Sequence, residues 1–354
     1  MIGDKIKPYH LEKWTNTHTM AKIAFFSTQS YDRRFFEKAS DAHEFEFFET
    51  RLTPRTANLA EGFDGVCVFV NDKVNKDVLA ALSGLGIGLV ALRCAGFNNV
   101  DLKAAEEHGI RVMRVPAYSP EAVAEHAFAL ILTLARKTHK AYNRVRDGNF
   151  SLERLTGFTI YGKTIGVIGT GKIGQAFCHI ARGFGARVLA FDKYPSDEMK
   201  NKGVEYMEFD QVLGESDILS LHCPLTPETH HLINRESLKK MKPGAMLINT
   251  SRGKLVETSA VIESLKDEHL GFLGIDVYEQ EEKLFFRDLS ELIIRDDQIA
   301  QLMIFPNVLI TAHQGFFTKE SMEEITRITL ENFSAYQDGK DTDNEVSCKL
   351  IKDC

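Results

Sequence analysis

Four charged residues stand at the ends of apolar runs in the second half of the sequence. They are Arg252 after "LINTS", Asp276 and Glu281 in "GIDVYEQEE", and His313 closing "VLITAH". Short apolar runs separated by segments of helical length read as strands of a parallel sheet, and such sheets bind ligands beyond the carboxyl ends of their strands. A histidine, an acid and an arginine at one such edge suit reversible hydride transfer to a ketone that neighbours a carboxylate. Hydride addition puts negative charge on the carbonyl oxygen, which a proton donor and a fixed cation must meet. Histidine exchanges protons near neutral pH, a carboxylate beside it favours the imidazolium and fixes the ring, and arginine holds a carboxylate through two parallel hydrogen bonds. Any one of the four also has a plain structural reading, as a loop ion pair or a hydrogen-bonded core group. Their shared placement beside a nucleotide motif favours chemistry.

That motif is "TIGVIGTGKIGQAF", residues 164–177. Gly169 permits the tight turn, Gly171 lets the backbone approach a pyrophosphate, and Gly174 lets helix pack on strand. The pyrophosphate is expected on the amides of the helix that opens near Lys172. Asp192 ends the next apolar run, where it accepts both ribose hydroxyls and repels a 2′-phosphate, so NAD is expected over NADP despite Lys193 beside it.

These residues need a scaffold, and the 354-residue chain is about two domains long. One series of strand-like runs is "KIAFFST" (22–28), "EFEFF" (44–48), "GVCVFV" (65–70), "LVALRC" (89–94) and "RVMRVP" (111–116). The second is "TIGVIG" (164–169), "RVLAFD" (187–192), "DILSLHCP" (217–224), "AMLINTS" (245–251), "GFLGIDVY" (271–278) and "NVLITAH" (307–313). Between them, 119–148 reads as one long helix with Ser119 at its N-cap and Pro120 just inside, its apolar centre a core or a subunit contact. The glycine turn therefore opens an inserted domain. The expected fold is α/β, with two Rossmann-like or flavodoxin-like doubly wound parallel-sheet domains and the active site in the cleft between them. A substrate domain is expected over 20–118 plus 314–346 and an NAD domain over 119–313, with 1–19 and 347–354 expected to be disordered extensions.

Composition narrows the class. A net charge of −7 argues against a nucleic-acid surface. No apolar run reaches membrane-spanning length, and the first residues lack the apolar core of a secretory signal. Six scattered cysteines without Cys-x-x-Cys read as reduced thiols of a cytoplasmic protein, with no metal site.

Six motifs together resemble the D-isomer-specific 2-hydroxyacid dehydrogenases: "RCAGFNNVD" (93–101), "VIGTGKIG", "LHCPLTPET" (221–229), "NTSRG" (249–253), "DVYE" (276–279) and "TAHQ" (311–314). The resemblance runs from about Met20 to Val346. Through "VPAYSPEAVAEHA" and "NFSLERLTGFTIYGKTIGVIGTGKIG" it is greatest toward the fermentative D-lactate dehydrogenases of bacteria, which implies pyruvate and D-lactate as the substrate pair and a homo-oligomer. It also implies that Arg252 binds substrate, that His313 is the acid–base and that Glu281, rather than Glu279 or Glu282, is its partner. The amides of Ala95 and Gly96 receive the substrate carboxylate and Tyr118 closes the pocket. Phe316 and Phe317, just after His313, are read as walling that pocket or as plain core packing. NAD then meets Lys172 and Ile173 in the turn, Asp192 at the ribose, Cys223, Pro224 and Thr229 along the adenosine, and Thr250 and Asp276 near the nicotinamide. Ala312 precedes His313 where many members carry proline. The alternatives are a different 2-oxo acid as substrate, or an NAD-sensing binding protein on the same fold.

Overall fold

The computed structural model describes residues 20–39 and 43–348. The chain forms two units, Met1–Tyr118 with Lys319–Cys354, and Ser119–Thr318. The expected extension 1–19 lies outside the described residues, as does 347–354 except for 347 and 348; of these, Cys348 donates its amide to Glu106 Oε1 at 2.8 Å.

The first unit is built on β1 (Lys22–Phe25), β2 (Glu44–Phe47), β3 (Gly65–Val68), β4 (Leu89–Leu92) and β5 (Arg111–Arg114), all parallel in the order β2-β1-β3-β4-β5. Every residue of β3 and β4 is buried, as interior parallel strands covered on both faces require; β2 at the edge is not buried anywhere. Helices α1 (Ser30–Phe36), α2 (Lys76–Gly84) and α3 (Leu102–Glu107) connect these strands.

In the second unit, α4 (Pro120–Arg136) and α5 (Thr138–Arg146) precede seven strands. These are β6 (Thr164–Ile168), β7 (Arg187–Phe191), β8 (Glu205–Tyr206), β9 (Ile218–Leu221), β10 (Ala245–Asn249), β11 (Leu270–Ile275) and β12 (Val308–Ile310). Their order is β12-β11-β10-β9-β6-β7-β8, again all parallel. From β6 the chain runs outward to β8, then returns to β9 and builds the other way. The strand order therefore reverses between β6 and β9, the position where open parallel sheets bind ligands. Side chains alternate across the sheet: Val188 and Ala190 join a core with α4 and α6 (Lys172–Gly183), whereas Leu189 joins the opposite one. That second face is covered by α8 (Phe209–Glu215), α9 (Arg235–Lys240), α10 (Thr258–Lys266) and α11 (Asp297–Ile304), while α7 (Asp197–Asn201) precedes β8. Finally α12 (Lys319–Gln337) returns the chain to the first unit, where Phe333 packs with Phe25 and Phe36.

Three differences from the sequence-based expectation have physical causes. The single helix over 119–148 is broken at Lys137, which adopts left-handed φ 54°. Ahead of the break Ala135 gives its carbonyl to the amide of Phe158 at 3.1 Å, so the returning chain caps α4. The two-residue β8 carries no periodicity to read. The chain leaves the second unit at Lys319 rather than at 314, because the turn after His313 is bound to Asp276 by two amides. Cys67, Cys94, Cys178 and Cys223 are buried and outside any disulfide, as expected of reduced thiols, but Cys348 is disulfide-bonded.

Candidate active site

The cofactor turn lies at the reversal point of the second sheet. Gly169 has φ 94°, and a Cβ there would stand 2.7 Å from the amide nitrogen of Cys223, so only glycine lets the ends of β6 and β9 meet. A Cβ at Gly174 would fall 2.0 Å from the carbonyl oxygen of Gly169. Gly171 is the N-cap of α6, offers no capping side chain, and has open space where its Cβ would be. The first amides of a 12-residue helix, including those of Lys172 and Ile173, are thus left for an anion.

Asp192 follows β7, and its oxygens are already engaged. Oδ1 accepts the Tyr194 amide at 2.8 Å, and Oδ2 accepts the amide and hydroxyl of Thr170 at 2.5 and 2.9 Å. Tyr206 extends the chain of bonds by donating its hydroxyl to Thr170 Oγ1. Thr250 Oγ1 is buried with no hydrogen-bond partner, an orphaned group of the kind a ligand satisfies. These features fit a dinucleotide. Cys223 is a lining residue rather than a nucleophile, because burial pushes its thiol up to about 11. Thr229 spends its hydroxyl locally, donating to the Pro224 carbonyl at 2.7 Å.

Past β10, β11 and β12 lie the groups that can do chemistry. Glu281 Oε1 is 2.9 Å from His313 Nδ1, and Oε2 accepts the Tyr278 amide at 2.9 Å. An ionised carboxylate only accepts, so Nδ1 carries the proton and Nε2 is the atom left for exchange. Both side chains are one-fifth exposed, enough for access without losing the pair to bulk water. The rings of Phe286 and Phe316 flank the imidazole, with centroids 5.8 and 6.5 Å away. Phe316 is buried and Phe317 half exposed.

Arg252 donates to the carbonyl of Ser251 at 2.7 Å, and no carboxylate among the described residues pairs with it. Its loop cannot move freely. A Cβ at Gly253 would stand 2.2 Å from the carbonyl of Tyr278, so the Arg252 turn is pressed against the loop that carries Glu281.

Glu279, the neighbouring acid, is committed elsewhere. It accepts from His231 Nε2 at 2.8 Å and from Thr258 Oγ1 at 2.9 Å. Burial alone would raise its carboxyl, but His231 and Thr258 outweigh that and hold it below the ordinary range. This clasp ties the loop after β9 to the start of α10 and to the Glu281 loop. Sequence reasoning misses His231, because its left-handed φ of 51° leaves no trace in residue order.

Asp276 is almost wholly buried, and its carboxylate is spent on the His313 turn. Oδ1 accepts Thr311 Oγ1 and the Gln314 amide at 2.5 and 2.9 Å, and Oδ2 accepts the Gly315 amide at 2.8 Å. His126 of α4 completes the set, 3.3 Å from Oδ1. Burial works to raise this carboxyl too, and His126 with Thr311 and the Gln314 amide hold it low. Sequence reasoning misses His126 and Thr311 as well, since each meets Asp276 only through the tertiary fold.

The remaining expected site residues belong to the first unit. Ala95 and Gly96 follow β4, and among the described residues neither amide is hydrogen-bonded; the Ala95 carbonyl accepts from Arg114 at 2.8 Å. Tyr118 is the last residue before the chain crosses to the second unit. No cluster of histidine, cysteine or acidic side chains among the described residues is arranged to hold a metal.

Residues 128–315 match the family model described as "D-isomer specific 2-hydroxyacid dehydrogenase, NAD binding domain". D-lactate dehydrogenase of Escherichia coli (strain K12) is 52% identical over 92% of this chain and 99% of its own. The apo-structure of D-lactate dehydrogenase from Escherichia coli superposes with a TM-score of 0.85 at 50% identity, over 92% of this chain and 99% of that one. The D-lactate dehydrogenase of Aquifex aeolicus, solved with NAD and lactic acid, gives 0.81 at 36% identity, covering 90% and 96%. With both of its sheets parallel, its glycine turn at the strand reversal and these relatives, the chain belongs to the D-isomer-specific 2-hydroxyacid dehydrogenase family, as an NAD-dependent enzyme of that family.

Proposed function

We propose that this enzyme interconverts pyruvate and D-lactate with NADH and NAD, with His313 as acid–base, Glu281 as its partner and Arg252 as the substrate-binding cation. The observation that carries the reading is the Glu281–His313 bond. It fixes a protonated Nδ1 and leaves Nε2 to give a proton to the carbonyl oxygen in reduction and to take it back in oxidation. When bound, the nicotinamide supplies or accepts the hydride. Arg252 fits the remaining task because no carboxylate among the described residues pairs with its guanidinium, so it can hold a substrate carboxylate and polarise the adjacent ketone. The unbonded amides of Ala95 and Gly96 are further candidates for that carboxylate, and Tyr118 and Phe316 for shaping the pocket. Lys172, Ile173 and Asp192 are assigned to NAD on the uncapped helix and the engaged acid, and Cys223, Pro224, Thr229, Thr250 and Asp276 to its remaining length.

The names of the relatives support lactate as the substrate. The proposed domain roles are NAD binding for the second unit, which also carries Arg252, Glu281 and His313, and substrate binding for the first, through Ala95, Gly96 and Tyr118. A homo-oligomer is proposed from α5, which has no buried residue and exposes Tyr142 and Val145. A cytoplasmic location is proposed from the buried thiols of Cys67, Cys178 and Cys223, with the Cys348 disulfide running against it; among the described residues no helix is long and apolar enough to cross a membrane.

The test is loss of 340 nm absorbance with NADH and with NADPH, over pyruvate, phenylpyruvate, hydroxypyruvate and branched 2-oxo acids, with chiral analysis of the product. NADH-dependent formation of D-lactate, faster than from the larger acids, is the expected result. Faster turnover of a larger acid would replace pyruvate by that acid, and no turnover of any would remove the catalytic assignment.

A further inference from the structure

Helix α4 is mainly a core helix, yet it turns one polar side chain toward the His313 turn. His126 Nε2 lies 3.0 Å from Thr311 Oγ1 and 3.3 Å from Asp276 Oδ1. Thr311 has one hydroxyl proton, and the 2.5 Å bond to Asp276 Oδ1 commits it. The hydroxyl oxygen can therefore only accept from His126, which places a proton on Nε2. A directed chain results, from His126 to Thr311 to Asp276.

Asp276 passes this order on. Its carboxylate takes the amides of Gln314 and Gly315, and its backbone carbonyl takes the amide of His313 at 2.7 Å. His313 itself adopts φ 54°, a conformation that non-glycine residues keep only when their surroundings enforce it. The packing is close enough to matter: a Cβ on Gly315 would stand 3.0 Å from Asp276 Oδ2 and 3.4 Å from His126 Cδ2. The strained backbone that aims the imidazole is thus held by one carboxylate, and that carboxylate is held by α4.

We propose that His126 is a positioning residue for the reaction, acting through Thr311 and Asp276 to fix the turn that presents His313. This rests on the assignment of His313 as acid–base. His126 touches no reacting atom. It keeps the Thr311 hydroxyl aimed at Asp276, and its Nε2 packs 3.3 Å from the same carboxylate, so the turn holds one geometry. A misplacement of about 1 Å is enough to slow proton transfer, and it need not touch cofactor binding.

The experiment compares the full-length enzyme with His126→Leu, His126→Gln, Thr311→Val, the double variant H126L/T311V, and His313→Ala. Measured are kcat and KM for pyruvate, Kd for NADH by fluorescence, and Tm. His126→Leu and Thr311→Val should each lower kcat about tenfold with NADH affinity unchanged. Glutamine can still donate an N–H from helix α4, so His126→Gln should recover most of the lost rate. H126L/T311V should be no slower than the slower single variant, because both break one chain. Wild-type kcat in His126→Leu, a His126→Gln enzyme as slow as His126→Leu, or additive losses would overturn the proposal. If His126→Leu does not fold, Thr311→Val decides alone, being equal in shape to threonine. His313→Ala separates the two claims. If it is inactive while the other variants turn over normally, only the positioning role falls; if it stays active, the acid–base assignment falls and takes the proposal with it.

Discussion

Each unit places an arginine just beyond the carboxyl end of an interior strand, and the two have opposite surroundings. Arg93, next after β4, is fully buried. It bonds the carbonyls of Phe26 and Ser27 at 3.1 and 2.8 Å, pairs with Asp32 at 3.2 Å, and lies between the rings of Phe25 and Phe69, 4.4 and 4.7 Å from their centroids. Arg252, three residues past β10, is half buried and bonds one carbonyl in its own loop. Both are arginines in the turn that follows an interior strand. Partners separate them: a guanidinium whose charge is met inside the protein holds the fold, and one whose charge is unmet can hold a substrate.

The largest expected effect is on the buried member. Arg93→Met leaves Asp32 without its countercharge in an apolar setting, and removing one partner of a buried pair costs about 3–5 kcal/mol. Urea unfolding should show that loss. A change within about 1 kcal/mol, the net size of an ordinary hydrogen bond, would mean that Arg93 is not the strut described.

Arg252→Lys should invert the pattern. Lysine keeps the charge and loses the two-pronged geometry, so kcat/KM for pyruvate should fall at least about tenfold, a charge-assisted bond being worth roughly 1.5–3 kcal/mol. Tm and the Kd for NADH should stay at wild-type values. Unchanged kcat/KM would remove Arg252 from the site and erase the contrast with Arg93.

The same contrast explains what residue order can and cannot disclose. Glycine spacing announces the cofactor turn because only glycine tolerates backbone at van der Waals contact, as at Gly169 against Cys223. Strand ends announce Arg252, Glu281 and His313, since short buried runs stop where the chain turns. Residue order narrows "DVYEQEE" to three acids but does not show which one bonds His313 and which is occupied. That depends on His231, 48 residues from Glu279 in the chain, and on a turn whose φ is set by contacts rather than by residue type. His126 is hidden for the same reason: it lies 185 residues from Thr311 and reads as one more position on an apolar helix. The break at Lys137 is equally silent, with neither glycine nor proline to mark it.

Glu279 and Glu281 form a smaller pair, each bonded to a histidine: Glu279 to His231 and Glu281 to His313. Glu279→Gln should cost about 1 kcal/mol near pH 7, the worth of a hydrogen bond weakened within the His231–Thr258 clasp. The sign of its pH dependence follows from a carboxyl held low in the folded state. That stabilisation is complete above the unfolded value of about 4.3 and is lost as pH falls through the folded one. The Tm difference between variant and wild type should therefore be constant near neutrality and close below about pH 4. A difference that persisted in acid would assign the loss to packing instead of charge.

Glu281→Gln should leave stability nearly unchanged and slow both directions of the reaction. Glutamine matches glutamate in shape, but its amide donates as well as accepts, so it no longer fixes the proton on Nδ1 and leaves Nε2 without a set role. Loss of the correct tautomer should lower kcat/KM for pyruvate and for D-lactate by at least about tenfold, with Tm and the Kd for NADH at wild-type values. Glu279→Gln should leave both rate constants where they are, since its carboxylate is turned to His231. If Glu279→Gln slowed the reaction while Glu281→Gln matched wild type, the two acids would exchange roles, and the bond to His313 would not mark the reactive group.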